Sequence, residues 1–87
     1  MEYKVTDIDK RCLGLELGRR RRLAKVKQSD AADAFGRTRN WLSQIESGTI
    51  SVSLIDAYHM CEIYQCDLSE VMRIAAETTK DLKKIKS

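Results

Sequence analysis

Apolar residues recur at helical spacing along nearly the whole chain, with no proline, no internal repeat and no low-complexity linker to interrupt them. The pattern predicts an all-α domain of five helices. Residues 1–10 read as an N-terminal arm: Tyr3 to Thr6 are either extended or disordered before Thr6 or Asp7 caps the first helix. That helix covers residues 8–25, with Leu13, Leu17 and Ala24 on one stripe. Position 21 falls on the same stripe, and it is an arginine. A guanidinium turned inward needs a carboxylate, because an unpaired buried charge is strongly destabilising.

Residues 29–35 form a second, short helix with Ala31, Ala32 and Phe35 on one side, and Gly36 follows as the residue able to turn left-handed. Thr38 is placed to cap a third helix over residues 39–47, which Gly48 stops by the same device. After a loop at 49–52, Ser53 with Asp56 three residues on opens a fourth helix through residue 64, its buried face predicted as Leu54, Ala57, Tyr58 and Cys61. Asp67 and Glu70 have the spacing of a capping box for a fifth helix from Leu68. There Leu68, Val71, Ala75, Thr78, Leu82 and Ile85 make a heptad of fewer than three repeats, which serves either as a dimer contact or as a helix folded back on its own domain.

The third helix has two unlike faces. Leu42 and Ile45 are spaced for burial, while Asn40, Ser43, Gln44 and Ser47 recur at i, i+3, i+4 and i+7 as one polar stripe. Amides and hydroxyls both donate and accept, which the reading of base edges requires: Asn and Gln match adenine N6 and N7, and Arg matches guanine O6 and N7. Arg39 stands at the N-terminal end of this stripe. An uncharged, merely solvated helix is the alternative.

Charge distribution favours the nucleic-acid reading. Of 87 residues, 43% are apolar and 33% charged, which fits one folded domain whose modest core makes dimerisation a natural source of stability. The net charge is only +3, but residues 1–48 carry 11 Lys or Arg against 7 acids, residues 49–72 carry 0 against 4, and residues 73–87 carry 5 against 2. Basic charge gathers around Arg19, Arg20, Arg21 and Arg22 and is absent from the stretch after the third helix, as suits one face for a polyanion and another for protein. A solvated basic helix would account for the arginine run alone.

Cys12, Cys61 and Cys66 form no CxxC pair and read as reduced, buried small residues; His59 and Cys61 alone make no tetrahedral metal site, so no metal or cofactor is expected. No apolar run is long enough for a bilayer and the N-terminus lacks a secretory core, so a cytoplasmic protein with no membrane partner is expected. An enzyme is not expected, since His59 has no nucleophile or paired carboxylates arranged around it and no phosphate-cradling glycine loop is present.

The segment QSDAADAFGRTRNWLSQIESG, followed by SLIDAYHMCEIYQCDLSEVM, resembles the Cro/C1-type (XRE family) helix-turn-helix domain over about residues 13–72. The resemblance implies a five-helix, lambda-repressor-like DNA-binding domain over residues 11–72, with residues 73–87 as a C-terminal helical extension. It implies base contacts from Arg39, Asn40, Ser43 and Gln44, and phosphate contacts from Gln28, Arg37, Thr38, Ser47, Thr49 and Ser51. Trp41, four residues before Ile45, covers the core edge or offers its indole N–H to a phosphate. Glu46 matches a family glutamate that pairs with an arginine of the first helix, and Arg21 is the inward-facing arginine there, so a structural Arg21–Glu46 ion pair is expected, with Arg21 the arginine of the run least suited to touch DNA. Two positions depart from the pattern: Lys27 stands where Ser or Thr usually caps the second helix, leaving Ser29 as a substitute cap, and Ala31 replaces a larger apolar residue, leaving space for Phe35 or Trp41 to fill.

The implied function is a homodimeric regulator, a repressor or activator of phage, plasmid or restriction-modification type, that binds double-stranded DNA at an inverted repeat. Residues 49–72 are the first choice for the dimer surface and the C-terminal helix the second. The competing class is an antitoxin or adaptor whose helix-turn-helix also holds a protein partner through residues 73–87.

Overall fold

A computed structural model describes residues 7–86, without the side chains of residues 85 and 86. The arm expected at Tyr3 to Thr6, the capping role of Thr6 and the packing of Ile85 lie outside the described residues. Five helices follow in order: α1 (Lys10–Leu23), α2 (Gln28–Ala34), α3 (Arg39–Glu46), α4 (Leu54–Tyr64) and α5 (Leu68–Lys86), with no strand among the described residues. The architecture is all-α, as the apolar spacing predicts.

Local chemistry sets most of the boundaries. Asp9 begins α1 by accepting from the Arg11 backbone N–H at 2.8 Å, two residues later than Asp7 would. Thr38 caps α3 through the Trp41 N–H at 3.1 Å, and Ser53 caps α4 through the Asp56 N–H at 3.0 Å. At α2 the cap position is Lys27, which makes no side-chain cap bond, and Ser29 lies inside the helix and caps nothing. Asp67 caps α5 through the N–H of Ser69 at 3.0 Å, but Glu70 does not close a capping box. It reaches across to Arg20 of α1 at 3.0 Å, where a buried-side cation outbids a backbone N–H.

The core is a single cluster that includes Leu17 of α1, Ala31 and Ala32 of α2, Leu42 and Ile45 of α3, Ala57, Met60, Cys61 and Tyr64 of α4, and Val71 of α5. Ala31 is fully buried within this cluster, and Phe35 and Trp41, their ring centroids 5.7 Å apart, pack against the cluster. Cys12 and Cys61 are buried and Cys66 partly so. Ala24, expected on the α1 stripe, is exposed: the helix stops at Leu23, Lys25 adopts φ +61°, and Val26 turns inward in its place.

The α4 face differs from its sequence reading. Leu54 and Tyr58 are 68% and 52% exposed, whereas Met60 and Tyr64 are buried. Two stripes of identical spacing share Ala57 and Cys61, rotated by roughly 60° about the helix axis, and packing against α1 and α5 selects the one bearing Met60 and Tyr64.

The last helix is folded back along α1. Val71, Ala75 and Thr79 face inward, so the inward row steps to Thr79 and not to Thr78. Thr79 Oγ1 donates to the Ala75 carbonyl at 2.7 Å and accepts from the Asp9 N–H at 3.0 Å, which joins the C-terminal half of α5 to the start of α1. The helix runs unbroken through residues 72 and 73.

Candidate nucleic-acid interface

The interface is built on α2, a tight turn and α3. Gly36 and Gly48 have φ +65° and +78°, the left-handed geometry expected where each helix ends. After α2 the Arg37 N–H returns to the Ala32 carbonyl at 2.9 Å, closing the turn, and Thr38 starts α3 one residue later. The Arg37 guanidinium lies over the Trp41 ring, 5.1 Å from its centroid, and that ring leans on Phe35. Trp41 is half-buried at the core edge, and Arg37 remains exposed on its outer side.

On α3, Leu42 and Ile45 are fully buried and Asn40, Ser43 and Ser47 are exposed, with Gln44 half-exposed between them. The polar stripe is thus presented on the outside of a helix whose inner side is locked in the core. Arg39 is exposed at its N-terminal end and borders two depressions: one of about 240 Å³ with Asn40 and Ser43, and one of about 550 Å³ with Arg21, Lys27, Gln28 and Ser29. The start of α2 and the start of α3 therefore share one cationic recess. At the other end Ser47 Oγ donates to the Gln44 carbonyl at 3.1 Å and lies 2.9 Å from Thr49 Oγ1, with Thr49 and Ser51 exposed beyond it.

Glu46 holds α3 to the rest of the domain. Its carboxylate accepts from Arg21 Nε at 2.7 Å and Nη2 at 3.1 Å, and from Gln28 Nε2 at 3.1 Å; Arg21 Nη1 continues to the Val26 carbonyl at 2.8 Å. The paired side chains are 11% and 10% exposed. The hydrogen bond with Glu46 is the chief cause that raises the Arg21 pKa above the ordinary guanidinium value, more than burial lowers it. Close approach of the two helices makes this reach possible: a Cβ on Gly14 would collide with the Ile45 carbonyl oxygen. No pattern along one helix reveals such a contact.

Arg20 is the residue the sequence reading missed. Its side chain is only 14% exposed and it binds Glu16 at 2.8 Å as well as Glu70. Glu16 is buried and also receives Arg19 at 2.6 Å. Two of the four consecutive arginines, Arg20 and Arg21, are thus internal ties between helices, and Arg19 shares the carboxylate of the first. The sequence shows only that Glu16 stands three and four residues before Arg19 and Arg20, a spacing that marks the pairs but not their burial.

A family model described as a helix-turn-helix domain matches residues 13–74. The chain belongs to that family. Helix-turn-helix domains bind DNA with the second helix of the pair in the major groove, and α3 is the second helix of the pair here. Two crystal structures of the clp gene regulator ClgR from Corynebacterium glutamicum share the fold: one with a TM-score of 0.75 at 24% identity, covering 83% of this chain and 94% of its own, the other with 0.76 at 22%, covering 93% of each. No curated protein sequence matches the chain. No helix among the described residues is long and apolar enough to cross a membrane.

Proposed function

We propose that the chain is a sequence-specific DNA-binding transcriptional regulator of Cro/C1 type, a repressor that binds an inverted-repeat operator as a homodimer with α3 in the major groove. The observation that carries this reading is the uncharged donor–acceptor stripe of α3, exposed on a helix that Leu42, Ile45 and Glu46 fix from behind. A solvated surface helix has no need of Asn, Ser and Gln at that spacing, nor of a buried ion pair to orient it.

In this reading Arg39, Asn40, Ser43 and Gln44 meet base edges. Gln28, Arg37, Thr38, Trp41, Ser47, Thr49 and Ser51 position the domain on phosphates, which carry no sequence information themselves. Arg21 and Glu46 act only by holding α3 in place. Two copies of α3 enter successive major grooves about 34 Å apart.

For the second copy, the stretch 49–72 without Lys or Arg is the surface least suited to phosphate, and on α4 it exposes Leu54, Ile55 and Tyr58. The chemistry is that of DNA recognition and not of catalysis. A selection on randomised duplexes, repeated at two salt concentrations, tests the reading: enrichment of a palindromic site supports it, and salt-sensitive binding without any sequence preference counts against it.

A further inference from the structure

The loop between α3 and α4 rests on the first turn of α1. A Cβ at Gly48 would lie 2.6 Å from Arg11 Cα and closer still to Arg11 Cγ, so the loop at Gly48 sits directly on the backbone and side-chain stem of Arg11. From the neighbouring position Lys10 Nζ donates to the Thr49 carbonyl at 3.3 Å. Thr49 Oγ1 in turn contacts Ser47 Oγ, the last member of the α3 stripe. A cation from α1 is thereby placed at the edge of the recognition surface, thirty-three residues upstream of Ser43 and outside the segment that carries the helix-turn-helix pattern.

The two adjacent cations differ in what offsets them. Arg11 lays Nε and Nη2 on the Asp9 carboxylate at 3.1 and 2.7 Å, so its charge is balanced within the same turn. Lys10 is exposed and its hydrogen bond is to a carbonyl, which carries no net charge. Its ammonium has further donors and a flexible stem. Beside it, the hydroxyls of Ser47, Thr49 and Ser51 are exposed and can turn to the same anion.

We propose that Lys10 is a phosphate-binding residue, extending the edge formed by Ser47 and Thr49 onto the N-terminus of α1, so that this backbone strand is held by α1 as well as by the loop. The proposal rests on the DNA-binding reading of α3. The partner is a duplex phosphate, contacted without regard to sequence.

The test is binding of the full chain to a short random-sequence duplex across a salt series, for wild type, Lys10→Gln, Lys10→Arg and Arg73→Gln. Each phosphate contact adds about 0.9 to the slope of log K against log salt. Lys10→Gln lowers the slope by that amount and weakens binding several-fold at low salt; Lys10→Arg keeps both. Arg73→Gln, an equal loss of charge on α5, leaves the slope intact. A full slope in Lys10→Gln, with or without a lower thermal midpoint, or an equal drop in Arg73→Gln, overturns the role of Lys10 and leaves DNA binding standing. Failure of the wild-type chain to bind any duplex at low salt overturns both.

Discussion

Arg21 and Glu46, twenty-five residues apart, form a two-point ion pair with Nε–Oε2 at 2.7 Å, and it joins the last turns of α1 and α3 while both side chains are about nine-tenths covered. Removing one partner leaves the other charge desolvated without compensation, which costs about 3 kcal/mol. Glu46→Ala should therefore lower the thermal midpoint by roughly 12–24 °C, measured by circular dichroism. A midpoint unchanged within error would show that α3 is held by apolar packing alone.

Glu16 makes stability depend on acid. The hydrogen bond from Arg19 leads the causes that lower its carboxyl pKa, outweighing the opposite effect of burial, and the bond from Arg20 adds to it. The folded pKa lies below the unfolded one, so the contribution is fully present above the ordinary glutamate value of about 4.3. It is lost as pH falls through the folded pKa. The midpoint of the wild-type chain should drop between pH 5 and pH 3, and Glu16→Gln should be less stable at pH 7 and show a shallower acid slope. Equal slopes in the two chains would remove Glu16 from the account.

Gly14 lies where α1 is packed closely against the backbone of α3. The atom a new Cβ would strike is the Ile45 carbonyl oxygen, part of the backbone and not the free end of a side chain. Gly14→Ala should destabilise by about 1–3 kcal/mol in urea unfolding although alanine is the better helix former. A gain in stability, the result intrinsic propensity alone would give, would mean the helices can separate at no cost.

Gln65 ends α4 in the left-handed region with φ +54° and ψ +50°. A side chain there costs about 1–2 kcal/mol, part of which glycine recovers against its own greater freedom when unfolded, about 0.5–1 kcal/mol. Gln65→Gly should raise the midpoint by a few degrees, read in the same melts, with DNA binding unaltered. A lower midpoint would place the strain elsewhere.

The helix-turn-helix unit was readable because its determinants are local. Gly36, Thr38 and Gly48 punctuate the chain by their own conformational preferences, and the α3 stripe is a period along one helix. Arg21 was readable as a charge on an apolar stripe. The face of α4 was not, because Ala57 and Cys61 belong to two stripes of equal quality and only the position of α1 and α5 chooses between them. The Glu16–Arg20–Glu70 tie escaped for a related reason: pairs at i+3 and i+4 look the same on a solvated helix as on a covered one, and burial of Glu16 is a property of the packed domain. Lys10 lies far upstream of α3, and its place beside Thr49 depends on how α1 crosses the α3–α4 loop.

The proposed dimer is tested by mass. Light scattering at micromolar concentration should give twice the chain mass, and Ile55→Glu with Tyr58→Glu should give the monomer while its melt stays cooperative, since both side chains are more than half exposed. A wild-type monomer would require another arrangement on the operator.

The central claim is that α3 reads bases, and the most direct measurement compares Asn40→Ala, Gln44→Ala and Gln28→Ala on a selected operator, on its single base-pair variants and on random duplex. Asn40→Ala and Gln44→Ala should each lose about 1–3 kcal/mol at particular base pairs and relax the preference there, while Gln28→Ala weakens binding to every sequence alike. Losses from Asn40→Ala and Gln44→Ala that are equal across operator, variants and random DNA would contradict it.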